Sequence, residues 1–253
     1  MRKKLPGLVL VVCFCLLNAP AVVAQSVRPQ PPAPPAKLYN TNTKTDVLVS
    51  ASGGAVWGLA RLIKPKTCLA PCVVGQLNGL DRPFAGRAER SGADRASTVL
   101  VATAAGAPFL LNISTSRQDL RPKQYWRDAV VLGETLLITN AITDVVKNAT
   151  SRPRPFVRGL PDTDSRYGQP ASYKSFFSGH TASAFAMTMS YAKMYTRSEP
   201  NAKPALVYGL GIVLGAVTGT LRVDAGDHYP TDVIMGALVG SAIGLFVTPA
   251  LHR

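Results

Sequence analysis

Two of the chain's three histidines stand in short contexts whose residue types could do chemistry. One is Ser178-Gly179-His180. The other is Arg222, five residues, His228, three residues, Asp232. A third cluster lies upstream and holds Lys147 and, after six residues, Arg154-Pro155. Two imidazoles, three cations and a carboxylate are the groups needed to move a phosphoryl group through histidine: a nucleophile, a proton donor, and fixed positive charge for the phosphate oxygens.

Each cluster also has an ordinary explanation. Pro230 suits the first turn of a helix, so His228 is predicted just before that helix and Asp232 about one turn on. The carboxylate could accept one ring proton and leave the other nitrogen free to attack, but the same spacing serves equally as a buried structural His–Asp pair. Ser178 is a natural helix cap, Gly179 lets a ligand approach the backbone, and His180 opens the helix, where free N–H groups bind phosphate oxygens and the imidazole can protonate a leaving alkoxide. Arg154 offers a planar fork to phosphate and Lys147 a point charge. Arg152 and Arg158 read as a solvated basic loop. Asn148-Ala149-Thr150 matches a glycosylation sequon, discounted because a glycan there would block the pocket. Jointly the clusters say more: nine fixed residue types at roughly one in twenty each, with both spacers free, leave coincidence on the order of 10⁻⁶.

Lys-x6-Arg-Pro, Ser-Gly-His and Arg-x5-His-x3-Asp, over residues 147–232, resemble the type 2 phosphatidic acid phosphatase superfamily, which includes membrane lipid phosphatases, class A bacterial acid phosphatases and vanadium haloperoxidases. The resemblance implies His228 as nucleophile, Asp232 as its partner and His180 as general acid. It implies that Lys147, Arg154, Ser178, Gly179 and Arg222 hold the phosphate, with no metal or other cofactor. Phe177 stands where the family usually has proline, and Leu221 where it usually has serine. Both bear on loop shape and substrate fit. Phosphatidate, phosphatidylglycerol phosphate, a polyprenyl diphosphate and a lipid A phosphate are candidate substrates. A soluble periplasmic phosphatase of broad specificity is the alternative, and a haloperoxidase or a non-catalytic membrane scaffold or transporter stand behind it.

The elements that must position these groups read as helices. Ala96–Ser116 is 21 residues without a charge, Ala129–Val146 is apolar apart from Glu134 and Asp144, Ser175–Ala192 carries only His180, and Pro204–Leu221 and Val233–Leu251 are uncharged runs of 18 and 19 residues. Their wealth of Ala, Gly, Leu and Met favours helix over strand. The expected fold is all-α: a membrane-embedded bundle of about five or six helices with the active site at one end. The formal charge of +14 goes with 47% hydrophobic and only 17% charged residues. Zinc-finger spacing, aromatic RNA-binding motifs and basic heptads are missing, so nucleic acid is not an expected partner; a membrane and a phosphorylated lipid are. Basic segments around 117–128, 193–203 and Arg253 fall on one side of an alternating bundle and the three clusters on the other, which a positive-inside bias makes the exported side.

Arg2, Lys3 and Lys4, then apolar Leu8–Leu17, then Val22-Val23-Ala24 read as a signal peptide or an uncleaved anchor over 1–24. Residues 25–45 read as a Pro-rich linker and 46–253 as the helical domain, with Val47–Ala60 a peripheral helix or an extra span. The expected location is the bacterial inner membrane with the site facing the periplasm or exterior. Cys68 and Cys72, in an exported setting with Pro71 between them, suggest a disulfide.

Overall fold

A computed structural model describes residues 42–67, 77–118, 122–199 and 201–252. Cys68, Cys72, the signal segment and the linker up to residue 41 lie outside them. The described residues contain no strand. Helix α1 is Thr43–Leu62, α2 Ser91–Gln118, α3 Pro122–Thr150, α4 Gly179–Ser198, α5 Pro204–Asp224 and α6 Pro230–Ala242. Helix α6 continues through a π turn, Ile243–Val247, into Thr248–Leu251. Helix α1 begins within the last residues assigned to the linker. The all-helical bundle is as expected.

Helix α4 is the axis of the bundle. It packs against α2, α3, α5 and α6, and Thr181–Met187 are buried without interruption. Two rows of glycine make this possible. Gly236, Gly240 and Gly244 lie one turn apart on α6, where a Cβ would overlap the carbonyl oxygens of Ser178, Ala182 and Ala186. On α5 a Cβ at Gly211 or Gly215 would overlap Thr188 or Phe185 of α4, and one at Gly219 would overlap Val233 of α6. With no side chain in the seam the backbones close up, and dispersion replaces the burial drive that helices lack in an apolar solvent.

Among the described residues three segments are long and apolar enough to cross a membrane: Lys123–Gly159, Pro204–Asp224 and Pro230–Leu251. Their outer faces expose large apolar side chains, among them Leu206, Leu210 and Val213 on α5 and Ile234, Leu238 and Phe246 on α6. The two acids inside the α3 run are both matched. Asp144 accepts from Trp57 Nε1 at 2.9 Å and Arg61 Nε at 3.2 Å, and Glu134 accepts from Ser50 Oγ at 3.2 Å and contacts His252 Nε2 at 2.6 Å. Helix α1 therefore lies along α3 because it supplies partners that hydrocarbon cannot. Asn148 is spent there too: its amide donates to the Ala60 carbonyl.

Candidate active site

The up-and-down course of the bundle brings the C-terminal ends of α3 and α5 to the N-terminal ends of α2, α4 and α6. Lys147 ends α3, Ser178-Gly179-His180 opens α4, Arg222 ends α5, and His228 and Asp232 open α6. Arg154 stands in the loop after α3, just before a short 3₁₀ turn at Pro155–Gly159.

His228 sits in the tight turn from α5 to α6. Gly226 has φ +78°, and a Cβ there would come within 2.8 and 2.9 Å of the carbonyls of Arg87 and Ala88. Glycine is required on both counts. The turn is pinned from outside by Arg90 N–H on the Ala225 carbonyl (3.1 Å) and Phe156 N–H on the Gly226 carbonyl (3.3 Å). The imidazole is 1% exposed, and its Nδ1 lies 2.7 Å from the carbonyl oxygen of Ser175. A carbonyl can only accept, so Nδ1 carries the proton and Nε2 carries the lone pair. Nε2 is buried and makes no hydrogen bond among the described residues. Burial, with Lys147, Arg154 and Arg222 nearby, drives the pKa of His228 well below 6.5 against a smaller upward pull from the Ser175 hydrogen bond. The resting form is thus a neutral imidazole with a bare Nε2.

This corrects one expectation. Asp232 does not take the ring proton: its Oδ2 is 3.7 Å from Nδ1. The carboxylate is instead committed to Ser175 Oγ at 2.5 Å, to the Tyr229 N–H at 2.9 Å, and to Arg152. It caps α6 and fixes Ser175, and Ser175 in turn holds His228. Arg152 is likewise no solvated loop residue. It joins Asp232 to Asp81 (2.7 Å) and its guanidinium lies 4.4 Å from the centre of the Tyr229 ring. Asp81, fully buried, also accepts the Thr231 N–H at 3.1 Å. Burial raises its pKa, but bonds from Thr231 and Arg152 outweigh that and hold it below the ordinary carboxylate value.

The cations are preset. One carboxylate, Asp227, takes Arg154 on Oδ1 and Arg222 on Oδ2, the latter at 2.7 Å. Arg222 also pairs with Asp94 and donates to Ser97 Oγ at 3.2 Å. The Nε atoms of both arginines are buried and make no hydrogen bond among the described residues. Gly179 packs closely on α3: a Cβ there would lie 3.0 Å from Thr143 Cγ2, with Lys147 Nζ in ordinary contact at 3.7 Å. Ser178 is the expected cap. Its Oγ accepts from Thr181 N at 3.4 Å and Thr181 Oγ1 at 2.9 Å, and its own N–H is tied to the Asp232 carbonyl at 3.0 Å. His180, outside the three candidate spans, has its pKa lowered to about 4 by burial, Arg222 and Lys147, partly offset by Asp94. Burial and the neighbouring cations therefore favour the neutral form of both imidazoles. Sequence reasoning missed Ser175, Asp227, Asp94, Ser97 and Thr98. Only Asp227, next to His228 and between two arginines needing counter-charge, carried a readable signal.

A lowered histidine pKa keeps the neutral form populated as the pH falls, until the folded-state pKa is reached. The ¹⁵N shifts of His228 are accordingly expected to report an Nδ1–H neutral tautomer at pH 6.5, where an unperturbed imidazole would be half protonated. Titration near 6.5 would contradict the electrostatic reading of the site.

Residues 128–253 match the PAP2 superfamily. Three curated relatives from Arabidopsis thaliana are similar to part of the chain. "Lipid phosphate phosphatase 1" is 34% identical over 134 residues, covering 44% of this chain and 40% of that protein. "Probable lipid phosphate phosphatase 4" is 33% identical over 138 residues, covering 46% and 44%. "Lipid phosphate phosphatase 2" is 32% identical over 136 residues, covering 44% and 46%. The chain thus spans less than half the length of each of these relatives. No solved structure matches it.

Proposed function

Because residues 128–253 place this chain in the PAP2 superfamily, we propose that it is a lipid phosphate phosphatase working through a phosphohistidine on His228. One observation carries the reading: a buried imidazole whose Nδ1 is held by the Ser175 carbonyl and whose Nε2 makes no hydrogen bond among the described residues, with Lys147, Arg154 and Arg222 close enough to lower its pKa. A core histidine serving structure would have both nitrogens satisfied. Here one is satisfied and the other is kept naked where positive charge gathers.

The steps follow from the groups. Phosphate oxygens are held by the two arginine forks, the Lys147 ammonium and the first N–H groups of α4. These donors are fixed before substrate arrives and meet the charge that spreads over the transferring group. His228 Nε2 attacks phosphorus in line, the P–O bond to the leaving group breaks, and His180 gives its proton to the departing oxygen. A water then gives a proton to His180, its oxygen attacks phosphorus, the P–N bond breaks, and phosphate leaves. The anionic substrate offsets the cations that lower the His180 pKa, so the imidazolium forms when it is needed.

The lipid class rests on the apolar outer faces of α5 and α6, which run up to the site, and on the names of the relatives. The reading puts the site on the exported face of a bacterial inner membrane, since Lys123, Arg127, Arg197 and Lys203 stand at the opposite end of the helices. Detergent-extracted protein is expected to hydrolyse dioctanoyl phosphatidate with a higher kcat/KM than p-nitrophenyl phosphate. Release of active protein by osmotic shock without detergent, with p-nitrophenyl phosphate the better substrate, would instead establish a soluble periplasmic phosphatase.

A further inference from the structure

The first turns of α2 lie outside the 128–253 domain, yet they touch two of its functional side chains. Ser97 Oγ donates to the Asp94 carbonyl at 2.8 Å, and Thr98 Oγ1 donates to the same carbonyl at 3.0 Å. Each hydroxyl has a single hydrogen, and both are spent on that one oxygen. What remains on each is lone pairs. Ser97 presents its lone pairs to Arg222 Nη1 at 3.2 Å, and Thr98 presents its own to His180 Nε2 at 3.4 Å. Guanidinium nitrogen can only donate, which agrees with the direction deduced for Ser97. With the Thr98 hydrogen placed on the Asp94 carbonyl, the 3.4 Å contact is completed by an Nε2–H, which makes Nε2 the protonated nitrogen of the neutral ring. Its Nδ1 makes no hydrogen bond among the described residues.

We propose that Thr98 is a positioning residue for proton transfer: it accepts the Nε2–H of His180 throughout the cycle, so that Nδ1 is the atom that exchanges a proton with the leaving group and then with water. The inference rests on the phosphohistidine reading above and adds to it the tautomer and its holder. In the first step the proton on Nδ1 moves to the leaving oxygen as the P–O bond breaks. In the second, Nδ1 takes a proton from the attacking water. Nε2–H stays on Thr98 in both, as a metal-bound or catalytic imidazole is steadied by an acceptor on its other nitrogen.

A proton donor matters in proportion to how poor the leaving group is. An alkoxide needs the proton, whereas p-nitrophenolate departs well without it. Thr98→Val keeps the shape and loses the acceptor, and Thr98→Ser keeps the acceptor. The expected result for Thr98→Val is a drop of about tenfold in kcat/KM on dioctanoyl phosphatidate, with p-nitrophenyl phosphate changed less than about twofold and Thr98→Ser close to wild type on both. Activity on the aryl ester doubles as the check that the variant is folded. Equal losses on the two substrates, or no loss on either, would overturn the role of Thr98 while leaving His228 chemistry intact. A wild-type protein that releases phosphate from neither probe would overturn the phosphatase reading itself, and this inference with it.

Discussion

Replacing His228 by alanine is expected to lower phosphate release by about 10⁴-fold or more, because the atom that forms the covalent bond is gone. Structure should survive better than function. The imidazole makes one hydrogen bond, to the Ser175 carbonyl, and Ser175 keeps its hold on Asp232 through Oγ and on the Arg152 carbonyl through its N–H at 3.0 Å. The cost is therefore a small buried cavity and one lost hydrogen bond, roughly 1–3 kcal/mol. Phosphate or vanadate binding should persist, since the cations are untouched. A His228→Ala protein that binds vanadate and still hydrolyses substrate at an appreciable rate would remove the nucleophile from the account.

Arg222→Ala has the opposite profile, with function and structure failing together. The guanidinium side chain is 4% exposed and lies between Asp94 and Asp227. Removing it takes one partner from Asp227, which keeps Arg154, and one from Asp94, whose side chain is half exposed, so the cost falls below the roughly 3–5 kcal/mol of breaking a fully buried pair. It also deletes one fork on the phosphate, worth about 10²–10³ in rate by analogy with loss of one fixed transition-state donor. Arg222→Lys separates the two effects. Lysine restores a charge between the acids but cannot bond Asp94, Asp227, Ser97 and phosphate from one planar group. Thermal stability is expected to recover most of the way and kcat/KM to remain at least about tenfold down. Full recovery of activity by lysine would mean that Arg222 supplies charge alone.

Much of the fold was open to sequence reasoning because its causes are local. Uncharged runs of helix-forming residues, the Ser178 cap and Pro230 at the start of α6 fix helices and their starts through neighbouring atoms. The site was legible as a set of residue types at one end of a bundle. Its wiring was not. The partner of the His228 ring is a backbone carbonyl 53 residues away, and any carbonyl has the same sequence signature as every other. The i,i+4 spacing of His228 and Asp232 pointed to a direct bond, but His228 precedes the helix, and Asp232 turns to cap the N–H of Tyr229 instead. Arg152 looked solvated because its counter-charges, Asp81 and Asp232, lie 71 and 80 residues away. Thr98 is an ordinary threonine at the edge of an apolar run until α2 is laid against α4.

The central claim is that phosphorus becomes bonded to Nε2 of His228. It is tested most directly by acid-free rapid quench of the enzyme with ³²P-labelled substrate, followed by alkaline digestion and peptide mapping. The account predicts an alkali-stable, acid-labile phosphohistidine on Nε2 of His228, formed in the wild type and in Thr98→Val and absent in His228→Ala. Label on His180, on another side chain, or on no residue while phosphate is released at the full rate would contradict it.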